Sequence, residues 1–297
     1  MMADLDIGKT TLVCSWFFTV LATASIVIQA LHIRHVRHSD LGDYLVLISF
    51  AIAVILVIQT TWAVLDKGQG VHESELVSSD FATVAKSVFA NELLWGLVNT
   101  LVRVSALLLY RKLFGVHKTI RLLTIIVIFV SGAFGVVIIL TSFLVCRPVS
   151  AAWDPSSSCN EIPSYVALEA CGLVLDIIIV ILPITPIQHL QIQTKHKWQI
   201  SLALSAGGIV VIITALRLQA LHLVSSTDLT HDKGYLSLLS NLGALLAITC
   251  CSAPAISAYF VRRQGGFIRR TAAQINSIYI EATSRLTFRS RVEEAPK

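Results

Sequence analysis

Charge is what this chain has least of. Only 14% of its 297 residues are charged, against 55% that are hydrophobic. A soluble domain carries about 25% charged residues, so a soluble fold of this length is excluded. The chain also lacks internal repeats, low-complexity tracts and Gly/Ser-rich linkers, and one membrane domain with a short tail is expected. No strand pattern precedes the glycines of Lys67 to His72, and no GK[ST] follows them, which excludes a phosphate loop. A cleavable leader is not expected either. Met1 to Thr10 is slightly acidic, and the apolar run behind it exceeds the roughly 7–15 residues of a signal core.

What is present is a series of seven long apolar runs, at about 11–31, 44–65, 88–110, 122–145, 164–187, 200–222 and 236–260. Each is close to the ~20 residues that cross a bilayer as a helix. The expected fold is an all-α membrane protein, a seven-transmembrane helix bundle over residues 1–261, followed by a basic cytoplasmic tail over 262–297. Lysine and arginine give the orientation. With the N-terminus outside and the C-terminus inside, the inner side receives Arg34 and Arg37, then Arg111, Lys112, Lys118 and Arg121, then Lys195 and Lys197, and all the tail cations. Lys9, Lys67, Lys86, Arg147 and Lys233 fall outside. The net charge of +5 is therefore a membrane-edge bias, and a nucleic-acid partner is not expected. The spacing of His32, His35 and His38 reads as a basic loop rather than a metal site, because Arg34 and Arg37 between them repel a cation.

None of the seven runs contains lysine. Retinal needs a span lysine for its Schiff base, so retinal is not expected, and no other cofactor or metal is indicated.

The ionisable residues inside the spans are few and costly, and such residues face protein or water. In the fifth span Glu169 and Asp176 are seven residues apart, on one helical face. In the third span Glu92, Asn99 and Arg103 also share a face. At about 1.5 Å per residue, Glu92, Glu169 and Arg217 lie within roughly 6–8 Å of the outer surface, and Asp176 and Arg103 about 17–22 Å deep. Two layers follow. Arg217 is expected to meet Glu92 or Glu169, and Arg103 to form a buried ion pair with Asp176. Such pairs can serve packing alone. The functional reading is an outer cavity in which Arg217, Glu92, Glu169, Asn91, Asn241, Gln59 and Trp95 contact a ligand. Glu92, Glu169 and Asp176 are its candidate acids. Cys146 and Cys159 both fall on the outer side, where a disulfide is permitted. They can be bridged to each other, free, or bonded elsewhere.

Several short motifs run through the membrane domain in order. They are L-G-D-Y at Leu41 to Tyr44, G-Q-G-V-H at Gly68 to His72, and R-V-S-A-L-L-L-Y-R-K-L-F at Arg103 to Phe114. C-R-P-V at Cys146 to Val149 follows, with Trp153-Asp154, Cys159, Asp176, Leu182-Pro183, Leu190-Gln191, Lys197 and Arg217-Leu218. In these the chain resembles the fungal rhodopsin-domain family of integral membrane proteins, which includes Pth-eleven-type receptor-like proteins and satratoxin-cluster-type proteins.

The resemblance implies membership and leaves the activity open among three classes. One is an accessory protein or membrane-embedded enzyme of secondary-metabolite biosynthesis that uses a span carboxylate for proton transfer. The second is a receptor-like sensor, similar to G-protein-coupled receptors, of a small lipophilic molecule, with a cytoplasmic signalling partner at the inner loops. The third, least favoured, is a transporter, because inverted repeats and broken half-helices are lacking. The short tail and the lack of a cysteine-rich outer domain favour the first. The expected partners are the lipid bilayer and a small lipophilic or acidic molecule. The expected location is the plasma membrane or the endoplasmic reticulum.

Overall fold

The computed structural model describes residues 7–36, 40–67, 69, 78–114, 118–152, 162–183, 194–223 and 234–257. These form seven helices: α1 (Ile7–Val36), α2 (Leu41–Lys67), α3 (Ser78–Phe114), α4 (Lys118–Leu144), α5 (Ile162–Ile181), α6 (Thr194–Leu223) and α7 (Gly234–Ser257). There is no extended strand among the described residues. Six helices are long and apolar enough to cross a membrane. In α6 the apolar stretch is shorter, Gly207–His222. The tail at 262–297, Cys159, His38, Trp153-Asp154, Pro186, Leu190-Gln191 and Gly70 to His72 lie outside the described residues.

Most helices start before the expected spans, and α5 stops at Ile181 rather than near 187. Leu182 N–H still reaches the Ile178 carbonyl at 3.0 Å. Pro183 has no N–H to continue the ladder, so the helix ends. The start of α2 is fixed by the L-G-D-Y motif. The backbone N–H of Asp40 donates to Asp43 Oδ2 at 3.1 Å, the acidic half of a capping box. The other carboxylate oxygen of Asp43 accepts from Gln29 of α1 at 3.0 Å, and Ser252 of α7 donates to Gln29 Oε1 at 2.8 Å. One motif residue thus caps α2 and ties three helices together. Lys112 pairs with Asp40 at the same end of the bundle.

The outer surface is apolar in all directions. Val13, Phe17, Val20, Leu65 and Phe129 are more than 60% exposed, as lipid-facing side chains are in a fold that buries its polar groups inside. The main core joins α1, α2, α3 and α7 through Ile26, Leu56, Trp95, Val98, Leu245 and Ile248. A second core joins α3 and α5 through Leu107, Tyr110 and Ile179.

Between α3 and α4 the backbones come close. A Cβ on Gly96 would meet Ile138 at 2.6 Å, and one on Gly135 would meet Thr100 at 2.5 Å. Lipid tails are as apolar as leucine, so small residues that allow such contact take over much of the work of holding helices together.

Candidate functional site

The polar residues of the spans gather in two layers on α3, α5 and α6. In the first, Arg217 of α6 is wholly buried, 0% exposed. Its Nη2 donates to both oxygens of Glu92, at 2.7 and 2.6 Å. Its Nη1 lies 2.5 Å from Glu169 Oε2, an ion pair whose N–H does not line up as a hydrogen bond. Its Nε donates to Ser240 of α7 at 3.0 Å. Trp95 covers its face, with the ring centroid 4.8 Å from Cζ, a cation–π distance. Trp95 fits there because residue 243 is glycine, where a Cβ would stand 2.6 Å from the ring.

One cation therefore meets two carboxyls. With both ionised, the layer carries one net negative charge. Glu169 Oε1 is buried without a hydrogen-bond partner among the described residues. A buried acceptor left unpaired is costly, so this oxygen is a place where a donor group would be stabilised.

The second layer lies about 10–16 Å further along α3 and α5. Arg103 Nε donates to Asp176 Oδ1 at 2.7 Å, and its Nη2 donates to Oδ2 at 3.0 Å and to the Gly172 carbonyl at 3.2 Å. The Thr214 hydroxyl sits 3.4 Å from Oδ2. The missing side chain at Gly172 makes room for the guanidinium: a Cβ there would stand 3.1 Å from Nη2. This fork-to-fork pair is closed and electrically neutral.

A cavity of about 30 Å³ connects the layers, room for one or two waters. Its wall includes Glu92, Trp95, Asn99, Arg103, Tyr165 and Glu169.

Of the residues expected to line an outer cavity, Glu92, Glu169 and Trp95 do so, and Arg217 sits behind them. Three others are placed elsewhere. Gln59 donates to the Ser87 carbonyl and hydroxyl at 2.7 and 2.6 Å. Asn91 donates to Thr60 at 3.3 Å, and Asn241 to Ser15 at 3.0 Å. They tie α2, α3, α1 and α7 together and are not among the cavity's lining residues. Arg217 itself is screened from any ligand by its own partners, and the carboxyls stand in front of it. Sequence reasoning missed Tyr165, and it missed Ser240 as the fourth partner of Arg217. It also missed Gln69, whose amide donates to Ser237 of α7 at 2.7 Å. Its place inside the G-Q-G-V-H motif was the available signal. Cys146 is buried and disulfide-bonded, whereas Cys14, Cys171, Cys250 and Cys251 are free thiols. Cys159, one of the candidate partners of Cys146, is outside the described residues. No group of three potential metal ligands occurs among the described residues.

The family model described as the fungal rhodopsin domain matches residues 28–262. The chain is 26% identical over 166 residues to satratoxin biosynthesis SC1 cluster protein 4 of Stachybotrys chartarum, covering 54% of this chain and 60% of that one. It is 27% identical over 160 residues to an SAT4 family membrane protein of Emericella nidulans, covering 51% of this chain and 41% of that one. The alignments thus span well under two thirds of the length of these curated relatives. No solved structure matches.

Proposed function

The chain belongs to the fungal rhodopsin domain family, and we propose that it acts within a membrane in secondary-metabolite biosynthesis, with Glu169 as its proton-handling group. The observation that carries this reading is the unpartnered Oε1 of Glu169 beside a buried arginine, on the wall of a polar cavity. The relative named for satratoxin biosynthesis supports the metabolic setting.

The chemistry follows from the charge arrangement. Glu169 gives a proton to a leaving oxygen that a substrate inserts into the mouth of the cavity, as the C–O bond breaks. The carboxylate left behind is held by Arg217, and a water adds its oxygen to the carbon that has lost its leaving group while giving its proton back to Glu169. Glu92 holds Arg217 through both of its carboxylate oxygens. Neither retinal nor a metal has a part in this scheme. The substrate is small and partly lipophilic, and it presents a hydrogen-bonding oxygen or nitrogen rather than an acid, because no cationic group faces the cavity unshielded.

Glu169→Gln keeps the shape and removes the proton. It is expected to cut product formation in the native host at least about 100-fold, the lower end of what a general acid contributes, with membrane abundance unchanged. Metabolite profiling against a gene deletion reads this. Full product levels in both Glu169→Gln and Glu92→Gln would overturn it.

The receptor-like reading keeps one specific support. Both polar layers share α3, α5 and α6, so a ligand that disturbs the Glu169 layer is mechanically linked to Arg103–Asp176. In that case Glu169→Gln abolishes a transcriptional or signalling response and leaves metabolite synthesis intact when the pathway is induced artificially.

Either reading places the N-terminus outside. A single-cysteine scan should label Gly70→Cys from the outer side and His196→Cys from the cytoplasmic side. The reverse pattern would invert every statement here about which side the cavity serves.

A further inference from the structure

Beyond the Arg103–Asp176 pair lies a second, larger cavity of about 80 Å³, between α3, α5, α6 and α7. It has room for several waters or part of a small molecule. Its walls are mostly apolar and include Val102, Leu109, Ile179, Val210 and Ala247. Asn99, Arg103 and Asp176 meet at one end, and the Tyr110 phenol and the Cys250 and Cys251 thiols line it further along α3 and α7. Arg103 and Asp176 neutralise each other through Nε and Nη2. Asn99 is only 5% exposed, lines both cavities, and its amide has no hydrogen-bond partner among the described residues. Its polar atoms are not among the side-chain atoms sealed away without a partner, so they open onto the cavities. The contrast with Asn91 and Asn241 is direct, since each of those donates to a neighbouring helix.

A mainly apolar chamber with a few polar groups is the usual form of a small-molecule site. We propose that this second cavity binds a neutral, mainly apolar molecule through a single carbonyl, hydroxyl or amine group that pairs with the Asn99 amide. Neutrality follows from the closed ion pair at the polar end. It offers no spare charge, and a charged ligand in an otherwise apolar chamber would be desolvated without compensation. The Glu169 layer differs in carrying an excess carboxyl, so the two cavities select different chemistry. This site does not depend on Glu169 and stands or falls separately from the proton-transfer reading.

The test uses the full chain in lipid nanodiscs and aniline, a neutral one-ring aromatic with one amine, as the probe. Cys250 and Cys251 lie on the cavity wall, while Cys171 is exposed on the outside of α5. Alkylation by N-ethylmaleimide, read at each cysteine by mass spectrometry, therefore reports occupancy with its own control. The probe should slow modification of Cys250 and Cys251 at least fivefold and leave Cys171 unchanged. Filling the chamber with Ala247→Phe, or with Ala106→Phe if the first variant fails to fold, should abolish that protection. Asn99→Leu should raise the probe concentration needed for half-protection about fivefold, the worth of one hydrogen bond. It should also leave thermal stability equal or higher, because it removes an unpaired amide. A purely structural Asn99 would show the opposite, a loss of stability with no change in probe affinity. Equal protection of all three cysteines, or protection that survives both filling variants, would show simple partition into lipid and overturn the proposal.

Discussion

Arg217→Ala is expected to remove most of the folded protein from the membrane. The substitution leaves Glu92 and Glu169 facing a vacated site with no cation between them, and strips Trp95 of the guanidinium it covers. Breaking a buried pair by deleting one partner costs about 3–5 kcal/mol, and here one deletion orphans two carboxyls. Whole domains are stable by only about 5–15 kcal/mol. Arg217→Lys keeps the charge but cannot present two nitrogens to Glu92 and Glu169 while a third holds Ser240, so it should fall between the parent and alanine. Neutralising the whole layer, with Arg217→Met, Glu92→Gln and Glu169→Gln together, should recover much of the lost stability while abolishing function. Fluorescence-detected size exclusion with a thermal challenge measures all of these. Arg217→Ala protein as stable as the parent would show that the layer contributes nothing to folding.

The Arg103–Asp176 pair should behave differently, because it is one-to-one. Asp176→Ala and Arg103→Ala are each expected to destabilise by about 3–5 kcal/mol. The double variant should be milder than the worse single change, because it leaves no buried charge behind. The coupling read from the full cycle should exceed about 1 kcal/mol, as for residues in direct contact. Asp176→Asn retains an acceptor for the Arg103 Nε–H and should sit between parent and alanine. Strict additivity would mean that the fork at 2.7 and 3.0 Å carries no net energy.

The partners of these arginines were legible in the sequence because charges in a membrane have few places to go. Depth, counted along each helix, was enough to sort Arg103 with Asp176 and to bring Arg217 to Glu92 or Glu169, but not to show that it meets both. What depth could not give was rotation. Ser240 and Asn241 are adjacent at the same level, yet a step of one residue turns a helix by about 100°, and Ser240 meets Arg217 while Asn241 turns to Ser15. Gln59 and Asn91 were misplaced for the same reason. An amide in a span serves as a tie between helices as readily as it lines a cavity, and only the packed neighbour decides which. The end of α5 at Ile181 was partly legible from Pro183. The role of Asp43 was not, because its partner Gln29 and the next link, Ser252, carry no local signature. Asn99 was placed on the inward face, but its lack of a partner is a property of the assembled bundle alone.

The long sequence separations inside the two polar layers have a consequence for how the protein is made. Asp176 is synthesised 73 residues after Arg103, and Arg217 125 residues after Glu92. At a translation rate of about 5–20 residues per second, Glu92 waits on the order of 10 s for its counter-ion. During that interval α3, the least apolar of the six spanning helices, holds an acid and a base whose final partners do not yet exist. The tight glycine seam with α4 is available almost at once, since Gly135 follows Thr100 by a single hairpin. Biogenesis of this bundle therefore has a vulnerable stage, after the fourth helix and before the sixth.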